Sequence, residues 1–173
     1  MNWIEKEVNR LTEKYKTNCP FEISGLKNIH VVYWNLHQEI WGFYKYERRN
    51  RFIFINSNLS HDKKRFVCGH ELGHALLHTK LNTPFLRRNT LYSIDKIERE
   101  ANEFAVNLLL YDKNLEDYET KYDVLRENQI PYEMERFLWT MVQDYRYVKK
   151  GLWWDFSTFS EKKIIARKWP RKL

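Results

Sequence analysis

Three side chains define the chemistry open to this chain. His70, Glu71 and His74 follow one another as H-E-x-x-H inside the stretch Arg65 to His78, RFVCGHELGHALLH. Residues four apart on a helix share a face one turn apart, so both imidazoles can reach one metal ion while Glu71 points to its open side. Cys68, Leu72, Ala75, Leu76 and Leu77 make the segment largely apolar. That predicts a mostly buried helix, in which His and Glu without partners would be costly. The pattern is that of metal-assisted hydrolysis, in which zinc lowers the pKa of a water and a glutamate takes its proton.

A catalytic zinc takes three protein ligands and keeps one position open, so a third ligand is needed. His78 fails on distance: eight residues beyond His70 on a straight helix is about 12 Å. The glycine turn that would return a third histidine is missing. His78 therefore reads as a residue behind the site or at the helix end. A second helical stretch, Ile94 to Leu110, has Ile94, Ile97, Ala101, Phe104, Ala105 and Leu108 at helical spacing, with Glu98 and Asn102 four apart along one edge. Glu98 is expected to bind the metal, and Asn102 to accept the free N–H of a ligating imidazole. Glu100 and Glu103 read as a solvated face, with Glu100 the alternative ligand.

At these residues the chain resembles the ImmA/IrrE family of bacterial and phage metallopeptidases, relatives of the thermolysin-like group. The motif H-E-L-G-H-A-L-L-H, then E-x-E-A-N-x-F-A some twenty residues later, carries the resemblance. It extends upstream through Gly42-Phe43-Tyr44 and Phe52-Ile53-Phe54-Ile55-Asn56 and covers roughly residues 25 to 112, not the last thirty. Cys68, where a small residue is usual, and Tyr111-Asp112, where a proline is frequent, depart from it. The resemblance implies one Zn2+ held by His70, His74 and Glu98, with Glu71 as catalytic base. It further implies a protein substrate, a helix-turn-helix DNA-binding repressor encoded nearby.

The elements that must position these residues follow the same logic. Asn2 to Thr17 reads as an amphipathic helix that Cys19-Pro20 ends. Ile29 to Trp34, Glu39 to Tyr46 and Arg51 to Ile55 read as strands of a small antiparallel sheet, with Glu47-Arg48-Arg49-Asn50 the tip of the last hairpin. An edge strand of that sheet can hold an extended substrate by strand addition. Ser60 caps the motif helix. The loop from Asn82 to Ser93 joins the two ligand-bearing helices, which makes Arg87, Arg88 and Tyr92 candidates for substrate or oxyanion contact. Helices near Asn114 to Asn128 and Tyr132 to Gln143 have no basic recognition face and read as packing.

The expected fold is therefore α+β: a minimal zincin-like metallopeptidase domain over residues 1–148, its three-stranded sheet packed on about five helices, followed by a basic aromatic extension over residues 149–173. The extension carries eight Lys and Arg against Asp155 and Glu161, a net +6 out of the chain's +7. Trp153, Trp154, Phe156, Phe159 and Trp169 interleave with those charges, a pattern compatible with nucleic-acid binding, although packing on the domain is the favoured reading. The rival function is a catalytically silent zinc-stabilised module that binds a regulator or nucleic acid through this tail. A fourth protein ligand, Cys68 or His78, would close such a site.

Composition excludes other classes. Two cysteines give no disulfide framework, and no run approaches the roughly eighteen apolar residues of a membrane span. With a charged N-terminus in place of a signal region, the expectation is a cytoplasmic protein. Five scattered glycines provide no phosphate loop.

Overall fold

The computed structural model of the 173-residue chain describes residues 2–80, 82 and 94–142. Helix α1 (Trp3–Tyr15) begins where the Asn2 side chain accepts from the Glu5 amide at 2.9 Å, and ends at Lys16 in the left-handed conformation. It buries Ile4, Val8 and Leu11. A short helix, α2 (Pro20–Leu26), follows. Pro20 had suggested only a stop, but a proline fits the first helical position, where its missing N–H is no loss.

Strands β1 (Ile29–Trp34), β2 (Gly42–Glu47) and β3 (Asn50–Asn56) form one sheet in the order β1-β3-β2. Arg48 and Arg49 make the two-residue tip of the β2–β3 hairpin, both at positive φ, as a primed turn requires. The expected all-antiparallel sheet is corrected: β1 pairs with β3 in parallel and only β2 with β3 antiparallel. The cause is the connection 35–41, which crosses over the end of β3 and returns along its far side instead of turning back beside β1.

Helix α3 (His61–Leu77) carries the motif, with the Ser60 hydroxyl accepting from the Lys63 amide. Helix α4 (Ile94–Leu109) lies against it, and α5 (Lys121–Glu127) and α6 (Glu135–Val142) follow, with single 3-10 turns before each. These make six α-helices among the described residues, none of them long and apolar enough to cross a membrane.

Two apolar clusters flank the α3–α4 pair. One joins α1, α2 and the inner sheet face (Ile29, Tyr44, Ile53, Ile55) to Val67, Cys68, Leu72, Phe104 and Leu108. The other joins Phe66, Ala105 and Leu109 to Leu125, Ile130, Phe137 and Leu138, so the last two helices pack against α3 and α4. Helix α4 feeds both clusters, which is why Ala101 and everything from Glu103 to Leu110 is buried.

The crossing of α3 and α4 is close because small residues face each other. A Cβ on Gly73 would lie 3.1 Å from Ala101 Cα and 3.2 Å from its carbonyl oxygen, while one on Gly69 would meet Ala105 Cβ at an ordinary 3.5 Å. This contact sets His70 and His74 opposite Glu98 and Asn102.

Candidate metal centre

On that crossing the two imidazoles turn the same nitrogen to one point. His70 Nε2 and His74 Nε2 are 3.1 Å apart, with the rings nearly perpendicular. The Glu98 carboxylate reaches in from α4, 3.3 Å from His70 Nε2 and 3.6 Å from His74 Nε2. Metal–ligand bonds of about 2.0–2.1 Å in a tetrahedron put donor atoms about 3.3 Å apart. The two nitrogens stand close to that spacing from each other, and each stands close to it from one oxygen of Glu98, His70 from Oε2 and His74 from Oε1.

Charge and burial agree with such a site. His74 is 1% exposed, and its Nδ1 has no hydrogen-bond partner among the described residues. Burial lowers its pKa to about 4, against the opposing Glu98 hydrogen bond, which keeps it neutral and able to ligate at pH 7. At His70 burial also acts to lower the pKa, but the hydrogen bond to Glu98 and the charges of Glu71 and Glu98 outweigh it and raise the value. Burial acts to raise Glu98, yet hydrogen bonds to both histidines hold its carboxyl far below the usual range. An ionised carboxylate facing two imidazole nitrogens marks the place a divalent cation would take. The residues present fit one such ion.

Asn102 stands as the spacing predicted. Its Oδ1 is 2.9 Å from His70 Nδ1, so it accepts the N–H that fixes the ring with Nε2 toward the cluster. Glu71 lies between the histidines on α3, 5% exposed, and His70, Glu71 and His74 hold ligand-type atoms within 4.8 Å of one another.

Other expectations are corrected. Glu103 is not solvated: it is buried and its carboxylate accepts a hydrogen bond from the Asn2 side-chain Nδ2, tying the start of α1 to α4. Glu100 is largely buried too, 3.3 Å from His78 Nε2 and 3.8 Å from Lys96 Nζ. His78 caps the end of α3 and turns toward Glu100, one turn beyond the cluster. Cys68 is fully buried with its thiol 4.0 Å from the Ser24 hydroxyl, and burial pushes its pKa well up. Neither Cys68 nor His78 closes the cluster. Arg87, Arg88 and Tyr92, and the whole extension 149–173, lie outside the described residues.

A cleft of about 270 Å³ opens on His70 and Glu71, walled by Glu39, Ile40, Trp41 and Gly42 on one side and by Phe66, Val67, Asn102 and Met134 on the other. Sequence reasoning missed this wall: Glu39 to Trp41 read as the start of the second strand, whereas β2 begins only at Gly42 and these three residues belong to the crossing. Gly42 was the one usable signal. A Cβ there would lie 2.6 Å from Val67 Cγ1 and 2.7 Å from the Phe54 carbonyl oxygen, so glycine is what lets the chain pass so close to α3.

The fold and motif together define an α+β protein whose H-E-x-x-H helix packs against a small mixed sheet and a second helix bearing Glu98 and Asn102. Residues 26–143 match the IrrE N-terminal-like domain family, Peptidase_M78, and the chain belongs to that family. A Bacillus phage phi105 protein described as "Uncharacterized immunity region protein 2" is 51% identical over 135 residues, covering 76% of this chain and 85% of that one. The "Metallopeptidase ImmA" of Bacillus subtilis (strain 168) is 34% identical over 116 residues, covering 66% of this chain and 67% of the relative.

Proposed function

We propose that this chain is a metal-dependent endopeptidase in which His70, His74 and Glu98 hold one zinc ion and Glu71 is the catalytic base. The observation that carries this reading is the convergence of two Nε2 atoms and one carboxylate at tetrahedral spacing, beside a buried second carboxylate that lines a cleft. A divalent cation held there supplies Lewis acidity toward water and the scissile carbonyl. Glu71 takes a proton from the attacking water and delivers it to the leaving amine, so peptide and water become a carboxylic acid and an amine. Asn102 keeps the His70 ring from turning. The donor set also suits manganese, iron or cobalt, with zinc the default.

The substrate is a cytoplasmic protein, a helix-turn-helix repressor encoded beside this gene. The immunity-region name of the phage relative and the metallopeptidase name of the Bacillus one support that context. Co-expression with the neighbouring repressor, followed by mass analysis, tests it: one specific cut is expected. Glu71→Gln should keep its zinc and lose about 10²–10⁴ in cleavage rate, whereas His74→Ala should lose the metal. A Glu71→Gln chain that cuts as fast as its parent would remove Glu71 from this role. The silent-module alternative needs a protein ligand in the open position; the two named for it lie elsewhere, Cys68 against Ser24 and His78 against Glu100.

A further inference from the structure

The connection 35–41 leaves one edge of the sheet, passes over the end of β3 and enters the other edge, and on its way it supplies Glu39, Ile40 and Trp41 to the cleft wall. Such a crossing has no ladder partner, so something at the end of β3 must hold it. The last residue of β3 is Asn56, 1% exposed although polar. Its Nδ2 donates to the carbonyls of Leu36 at 3.2 Å, His37 at 3.2 Å and Ile40 at 2.9 Å. Its backbone N–H donates to Trp41 O at 2.9 Å, and its Oδ1 accepts from the Asn58 amide at 3.1 Å. One side chain thus gathers three carbonyls of the crossing and its own strand end.

We infer that Asn56 is a positioning residue of the cleft: by hanging the 35–41 crossing on β3 it fixes the wall that faces Glu71. The wall's other end is already set, since Gly42 is pressed against Val67 and the Phe54 carbonyl. Between these two points, Ile40 and Trp41 can meet a bound peptide only where Asn56 holds them. A wall that meets the peptide away from the reacting bond contributes binding equally in ground and transition states, so its misplacement appears in KM and not in kcat. This rests on the cleft being the peptidase site proposed above.

The test compares the zinc-loaded full chain with Asn56→Asp, which turns a carboxylate on three carbonyls, and Asn56→Ala, which only removes the donors. Hydrogen exchange at the Ile40 and Asn56 amides should rise about tenfold, while α3 and α4 stay within about twofold and zinc content is unchanged. On an internally quenched peptide, chosen from a random-sequence library because the parent cleaves it, KM should rise about fivefold with kcat nearly constant. Asn58→Ala, which cuts only the exposed 2.8 Å tether to Asn35, should change none of these. Unchanged exchange in 36–41, exchange rising equally in α3, or a fall in kcat alone would overturn the inference. So would failure of both Asn56 variants to fold, which would make Asn56 a determinant of the whole fold. If the parent cleaves no peptide, the peptidase reading fails while the exchange result still decides the role of Asn56.

Discussion

Single side chains in this protein are held by partners that also set their protonation. His70 owes its orientation to Asn102, and His74 owes its neutrality to burial. Away from the site the same physics acts on Tyr44, which is fully buried on β2 with its hydroxyl donating to the Thr79 carbonyl at 2.9 Å, just beyond α3. Burial pushes its pKa up to about 12. The folded chain therefore keeps the phenol proton after the unfolded chain, with a value near 10, has lost it. That stability is whole below pH 10 and is lost as pH rises toward 12, to a limit of about 3 kcal/mol. Urea titrations at pH 8, 10 and 11 should show the fall, and Tyr44→Phe should flatten it at a cost of about 1 kcal/mol near neutrality.

Between elements, the α3–α4 contact decides whether a site exists at all. Gly69→Ala and Gly73→Ala both improve helix propensity by about 1 kcal/mol, yet they should differ in sign. At Gly69 the new methyl meets Ala105 Cβ at 3.5 Å and should be neutral or stabilising. At Gly73 it meets backbone at 3.1 Å and must push the helices apart, costing about 1–3 kcal/mol and weakening metal binding with it. Thermal melts with and without zinc would show whether the two variants separate this way. These glycines also mark how far the sequence could be read. His70, His74, Glu98 and Asn102 were legible because helical period places them on facing edges. Glu103 was misplaced because its partner, Asn2, is a hundred residues away, and no local pattern reports that α4 is buried from both flanks. The parallel pairing of β1 was illegible for a related reason, since the crossing that causes it is tied by Asn56, a residue that local propensity assigns to nothing in particular.

Across the whole molecule, charge is separated along the chain. Residues 27–65 carry a net +5 and residues 94–142 a net −6, while the extension 149–173 carries +6. A chain ending at residue 148 should keep one zinc and its cleavage. Any DNA retention seen with the full chain at about 50 mM salt should vanish with the extension, since contacts of that kind are sequence-independent and salt-sensitive. Retention by the shortened chain would move the basic surface to the sheet half. Metal binding and the peptidase chemistry both depend on which carboxylate completes the pair of imidazoles. The direct measurement is zinc affinity and stoichiometry for the parent, Glu98→Ala and Glu100→Ala. One ion per chain, lost or weakened by about 10² or more in Glu98→Ala and intact in Glu100→Ala, is the predicted result; parent-like binding by Glu98→Ala, or loss of the ion in Glu100→Ala alone, would contradict it.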